Sequence, residues 1–184
     1  MILTTEEINL LFNYNIENGN LYYKYNSRNK KIGDIVCEDE TERHKYVSIK
    51  RKQYLLHHLI YKMLFNEDIP LGFVIEHING IKTDNRLVNL RLCTQQYNCW
   101  SYTDLSNEKL ISKVNKKYRV EMHSVPVIFH NRMNKCSNST LYRSKSMSYD
   151  ECLLLKNEIL KYRKDILDNI ETLLDKYNKL NYNI

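Results

Sequence analysis

The chain has 184 residues, of which 42% are hydrophobic and 27% charged. That length holds one compact domain or two small ones, and the composition excludes wholesale disorder. No apolar run reaches the roughly 18 residues of a membrane span, and the opening MILTTEEINL lacks a basic segment leading into an apolar stretch. No membrane partner and no secretory signal are therefore expected. The five cysteines (37, 93, 99, 136 and 152) are odd in number and have no CxxC spacing. Reduced thiols are the expectation, which fits a cytoplasmic protein, or a host-cytoplasmic one if the source is viral.

The net charge is +6, and it is unevenly spread. Residues 1–100 carry 13 Lys+Arg against 12 Asp+Glu, residues 101–149 carry 9 against 3, and residues 150–184 carry 6 against 7. The excess sits in one stretch where Lys113, Lys116, Lys117, Arg119, Arg132, Lys135, Arg143 and Lys145 are interleaved with Tyr118, Phe129 and Tyr142. Cations mixed with aromatics suit a phosphate backbone; a solvated basic surface is the alternative.

In chain order, Thr4 with Glu7 forms the pattern of a capping box and predicts a short helix. Short Tyr-rich runs follow at 21–25, 32–37 and 46–49, with turn chemistry between them, and predict a small antiparallel sheet. Residues 54–65 have apolar positions at helical spacing, closed by Pro70-Leu71-Gly72. Short strands are expected at 73–75 and 90–94, with a turn-rich loop between and a helix opening at Gln95. Ser148 with Glu151 is a second capping box. It opens an apolar stripe at 152, 155, 159, 162, 166, 170, 173, 177 and 180 that predicts one long amphipathic helix. That stripe fits packing on its own domain or pairing with a second copy as a homodimer. The fold class expected is α+β, divided as 1–53 (N-terminal, β-rich), 54–103 (core), 104–147 (basic segment) and 148–184 (C-terminal helix).

The stretch from Val74 to Asn98 carries the chemistry. A strand delivers Glu76 and His77 to its end, and a return strand leads into a helix whose first turn holds Asn98. Successive strand residues point to opposite faces, so the pair converges only if the chain bends. A carboxylate and an amide oxygen form half a shell of hard ligands, suited to Mg²⁺ or Mn²⁺. An imidazole beside them is the usual general base near neutral pH.

Glu76-His77-Ile78-Asn79-Gly80, Asp84-Asn85-Arg86, Asn89-Leu90-Arg91, Thr94 and Asn98 together resemble the signature of the HNH endonucleases of the phage and homing type. The upstream Leu56-His57-His58-Leu59-Ile60 is similar to that family's helix, with His58 where Arg is usual. Phe12, Tyr14, Gly19, Leu21 and Tyr23 look like its opening segment. The resemblance covers roughly residues 10–100.

It implies a ββα-metal core and a DNA endonuclease acting on double-stranded DNA, leaving 5′-phosphate and 3′-hydroxyl ends. It further implies one Mg²⁺ or Mn²⁺ held by Glu76 and Asn98, His77 as the base, and Asn89 bracing the loop and orienting His77. No zinc is expected, because the CxxC pairs of zinc-bearing relatives are absent. The Glu at position 76 stands where Asp is commoner. Arg86 and Arg91 are expected either on phosphate or paired with Asp84 or Glu76. DNA contacts are also expected from Lys113, Lys116, Lys117, Arg119, Arg132 and Lys135. Residues 117–151 faintly resemble a three-strand, one-helix DNA-binding domain. Rival readings are a non-enzymatic DNA-binding regulator and a nuclease aimed at RNA.

Overall fold

The computed structural model describes residues 3–37, 44–101, 110–123, 125–136 and 141–182. They fold as two units. One comprises the chain up to Thr94 together with the residues from Glu171 onward; the other is Gln95–Ile170. The boundary expected between 103 and 104 lies outside the described residues.

In the first unit, α1 (Thr5–Leu11) begins with the expected capping box. Thr4 accepts from the Glu7 amide, and Glu7 accepts in turn from the Thr4 amide. It runs directly into β1 (Phe12–Tyr14), which pairs antiparallel with β2 (Leu21–Tyr23). The run 32–37, read as a strand, does not form one. A single bridge joins Ile35 to Tyr22. Gly33 turns at φ +90°, and the Asp34 carboxylate accepts from the Lys31 amide 2.6 Å away. A backbone turned this way cannot extend, and of its apolar side chains Val36 alone is buried.

β3 (Tyr46–Ile49) and β4 (Lys52–Leu55) form a hairpin. Its two turn residues, Lys50 and Arg51, both have positive φ, the geometry that matches the twist of flanking strands. α2 (Leu56–Phe65) follows and buries Leu56, His57, Leu59, Ile60 and Tyr61. β5 (Phe73–His77) pairs antiparallel with β6 (Leu90–Thr94), entered through a single 3₁₀ turn at Leu87–Asn89. One apolar core, including Ile8, Phe12, Leu21, Ile60, Ile75, Leu87 and Leu90, unites these elements.

The second unit opens with α3 (Gln95–Ser101). β7 (Ile111–Val114), β8 (Lys117–His123), β9 (Met133–Lys135) and β10 (Leu141–Ser144) form an antiparallel sheet in the order β7-β8-β10-β9. Three of these strands, β8, β9 and β10, fall within residues 117–151. α4 (Tyr149–Asp168) starts at the expected Ser148–Glu151 capping box and buries Cys152, Leu155 and Ile159 against Val120, Met122 and Phe129.

The single C-terminal helix read from the sequence is two helices. α4 stops at Asp168, and α5 (Leu173–Tyr182) begins a new one in the first unit. The break falls where the apolar stripe takes its irregular step, between 166 and 170. Thr172 caps the new helix by accepting from the Asp175 amide at 3.1 Å. Leu173 is buried in the first unit's core, and Lys176 bonds the Tyr61 hydroxyl there at 2.9 Å. No helix among the described residues is long and apolar enough to cross a membrane.

Candidate active site

β5 ends in Glu76 and His77, which lie opposite Arg91 and Leu90 of β6. Both are buried, each at 2% exposure, as are His57 (3%), Asn85 (1%), Asn89 (6%) and Arg91 (6%). Buried polar groups persist only when their hydrogen bonds are met. The partners are therefore informative, and they differ for the two neighbours on β5.

Glu76 faces across the ladder. Its Oε2 accepts from Arg91 Nε at 2.7 Å and lies 3.5 Å from Cys93 Sγ. Its Oε1 is buried and has no hydrogen-bond partner among the described residues. Arg91 is thus the ladder partner of the carboxylate, one of the two roles expected of it. Arg86 is half-exposed and forks onto Asp84, with Nε at 2.8 Å from Oδ1 and Nη2 at 2.6 Å from Oδ2. Both arginines take the loop-holding alternative.

His77 has different partners. Its Nε2 is 3.0 Å from Asn85 Oδ1. With an amide oxygen there, Nε2 carries the proton and Nδ1 keeps a lone pair. The residue bonded to the imidazole is therefore Asn85, where Asn89 was expected. Asn89 does brace the loop: its Oδ1 accepts from the Asn79 amide at 2.9 Å and its Nδ2 donates to the Asp84 carbonyl at 2.8 Å. Its carbonyl accepts from the Ile78 amide, next to His77, at 2.8 Å. Gly80 closes the first turn at φ +74°, its amide donating to the His77 carbonyl at 3.0 Å.

In the sequence His57 stands out only as part of the helix segment 56–60, and His44 not at all. Their rings surround His77, at 5.0 and 5.6 Å between centroids. His44 precedes β3 outside any motif, so nothing in the sequence could have marked it. Burial pushes the protonation of all three imidazoles down. For His57 it reaches about 2, with the neighbouring imidazoles adding to the effect. His44 is lowered by burial and then by His77. For His77 burial outweighs the Asn85 hydrogen bond and the carboxylates of Asp84 and Glu76, which pull upward. The sequence left this direction open. The result is a neutral imidazole at pH 7, able to accept a proton.

Asn98 lies on α3 in the second unit. Its carbonyl accepts from Ser101 Oγ at 2.8 Å, while its side-chain Oδ1 is buried without a hydrogen-bond partner among the described residues. The two side chains expected to hold a cation thus each keep one buried oxygen unsatisfied. An oxygen left so is costly, and each is a hard donor of the type Mg²⁺ or Mn²⁺ takes.

Of the expected DNA contacts, Lys113, Lys116, Lys117, Arg132 and Lys135 are exposed. Lys113, Lys116 and Lys117 gather at the β7–β8 turn, which Asn115 closes at φ +57°. Arg119 is half-buried and paired with Glu121 at 2.8 Å, and Arg132 pairs with Glu158 at 2.7 Å.

Residues 54–99 match the family described as HNH endonuclease. Over 61 residues the chain is also 34% identical to an uncharacterized HNH endonuclease of Acanthamoeba polyphaga mimivirus. That match spans 33% of this chain and 33% of the relative's length. No solved structure matches significantly. The hairpin bearing Glu76 and His77 lies within the segment that is similar to HNH endonucleases.

Proposed function

We propose that the protein is a metal-dependent HNH endonuclease that hydrolyses phosphodiester bonds of double-stranded DNA, with β5, β6 and α3 as its ββα-metal core. The observation that supports this best is the buried Glu76–His77 pair inside the matched segment. There a neutral imidazole of fixed tautomer follows a carboxylate with one oxygen to spare.

Glu76 and Asn98 would hold one Mg²⁺ or Mn²⁺. When bound, such an ion neutralises the scissile phosphate and stabilises the charge that develops as the 3′ oxygen leaves. Arg91 holds the Glu76 carboxylate in place through Oε2. His77 Nδ1 takes the proton of the attacking water while its Nε2–H goes on donating to Asn85 Oδ1. The water oxygen bonds to phosphorus and the bond to the 3′ oxygen breaks, leaving a 5′-phosphate and a 3′-hydroxyl. The Asn79–Asp84–Asn89 network holds the loop. Lys113, Lys116, Lys117 and Lys135 supply positive charge for the DNA backbone, with Arg119 and Arg132 beside them.

The test is incubation with supercoiled plasmid, with and without divalent metal, followed by end-sequencing. EDTA should abolish nicking, Mg²⁺ or Mn²⁺ should restore it, and DNA binding should survive the chelator. Full cleavage in EDTA would contradict the one-metal mechanism.

A further inference from the structure

We propose that the β1–β2 hairpin belongs to the catalytic apparatus: Tyr14 and Gly19 are positioning residues that grip the Asn85–Arg86 peptide and thereby set the orientation of His77. This inference rests on the reading of His77 as the base.

The loop between β5 and β6 holds itself on either side of that peptide. Asp84 is fixed by its amide on the Ile81 carbonyl and by Asn89 Nδ2 on its own carbonyl. Beyond it, the Arg86 carbonyl accepts from the Asn89 amide at 2.9 Å. The Asn85 carbonyl is taken by a group 71 residues away, the Tyr14 hydroxyl, which donates to it at 2.9 Å. Tyr14 is buried enough that its ionisation is pushed far above the ordinary phenol value, so the hydroxyl keeps its proton.

Gly19 meets the same peptide. A Cβ at Gly19 would lie 2.5 Å from Arg86 N and 2.6 Å from Asn85 C, both backbone atoms that cannot swing aside. Gly19 also sits at φ +74°, a conformation other residues rarely adopt. The hairpin fixes the spacing of the two contacts, because the Gly19 amide donates to the Asn15 carbonyl at 2.9 Å and Asn15 N bonds the Asn20 carbonyl at 3.0 Å. One peptide plane is thus held at its carbonyl oxygen by Tyr14 and along its C–N bond by Gly19. That plane carries the Cα of Asn85, whose side chain reaches His77 Nε2 at 3.0 Å. A general base misplaced by a fraction of an ångström loses much of its effect, so the support under Asn85 bears directly on rate.

The test compares the full-length protein with Tyr14→Phe, Asn85→Ala and Gly19→Ala. In metal-free, DNA-free protein, the Nε2 proton of His77 should give a slowly exchanging downfield NMR resonance, assigned by its loss in His77→Gln. It should exchange faster in Tyr14→Phe and vanish in Asn85→Ala and Gly19→Ala. In the cleavage assay Tyr14→Phe should lower kcat between about 10- and 100-fold with KM for DNA unchanged. A Tyr14→Phe protein with native kcat overturns the proposal, and so does a lowered kcat with an undisturbed His77 resonance. Tyr14→Phe removes one hydroxyl and decides the matter even if Gly19→Ala fails to fold. The resonance needs neither metal nor activity, so a protein that cleaves nothing yet shows the expected NMR changes would refute the nuclease reading alone.

Discussion

Acid should destabilise the protein through His57, and the size of the effect follows from its burial. An unfolded imidazole takes up its proton at the ordinary value of 6.5, whereas His57 in its place beside His77 holds out until about 2. Between those values the unfolded chain binds one more proton than the folded one, so stability is lost as pH falls. Above 6.5 both states are neutral and the group has no pH-dependent effect. Each unit below it costs about 1.36 kcal/mol, which makes about 2 kcal/mol at pH 5. Urea unfolding followed by far-UV circular dichroism at pH 7.5 and pH 5 measures the loss. His57→Leu, of similar volume and without a titrating group, should lose about 2 kcal/mol less than the native protein over the same interval. His44 and His77 are also depressed by burial, but they remain in both proteins, so the difference isolates His57. Parallel pH profiles for the two proteins would show that His57 is hydrated or paired and would refute the argument.

Two further expectations concern the site and the basic hairpin. His77→Ala should cut the cleavage rate by ~10²–10⁴-fold, the usual share of a general base, with folding and Mn²⁺ binding retained; Glu76→Gln should lose Mn²⁺ binding by calorimetry together with activity. Neutralising Lys113, Lys116 and Lys117 should weaken binding to all duplex sequences alike and reduce the slope of log K against log salt by ~0.9 for each phosphate left without its cation; an unchanged slope would mean these lysines are only solvated surface.

What the sequence disclosed was local. Both capping boxes, the β5 and β6 strands and the helix opening at Gln95 each need only a few neighbouring residues, and each is present. The C-terminal stripe keeps its helical period across 169–172, but the period cannot say that Leu173 is buried in a different unit from Leu155. The tertiary assignment breaks the helix at the stripe's weakest step. The run 32–37 has the apolar content of a strand and is turned aside by Gly33 and Asp34. At the site, Glu76, His77, Asn89 and Asn98 stand out because they share one short segment. The other groups around His77 come from far along the chain, so spacing could not connect them: His44 before β3, His57 on α2 and Tyr14 on β1. Tyr14 and Gly19 are visible as matches to a family opening, yet without a role, since what they hold lies some 70 residues downstream.

The division of labour on Glu76 explains why a glutamate serves where aspartate is commoner. The side chain must cross to β6, where Arg91 is its ladder partner, and still offer an oxygen elsewhere. The extra methylene supplies that reach. Arg91, 2.7 Å from Oε2, takes that oxygen and leaves Oε1 without a partner among the described residues. A buried ion pair of this kind adds little net stability; what it does is fix the direction of the carboxylate. The same pairing sets a limit. Arg91 already offsets the charge of Glu76, and Asn98 contributes a neutral amide, so on the proposed reading the protein's ligand set carries almost no net negative charge toward a divalent ion. Electrostatic attraction sufficient to hold that ion must then come in part from the DNA phosphate. On that reading the site is completed by its substrate, with charge assembled around the scissile bond only when a bond is there to be cut.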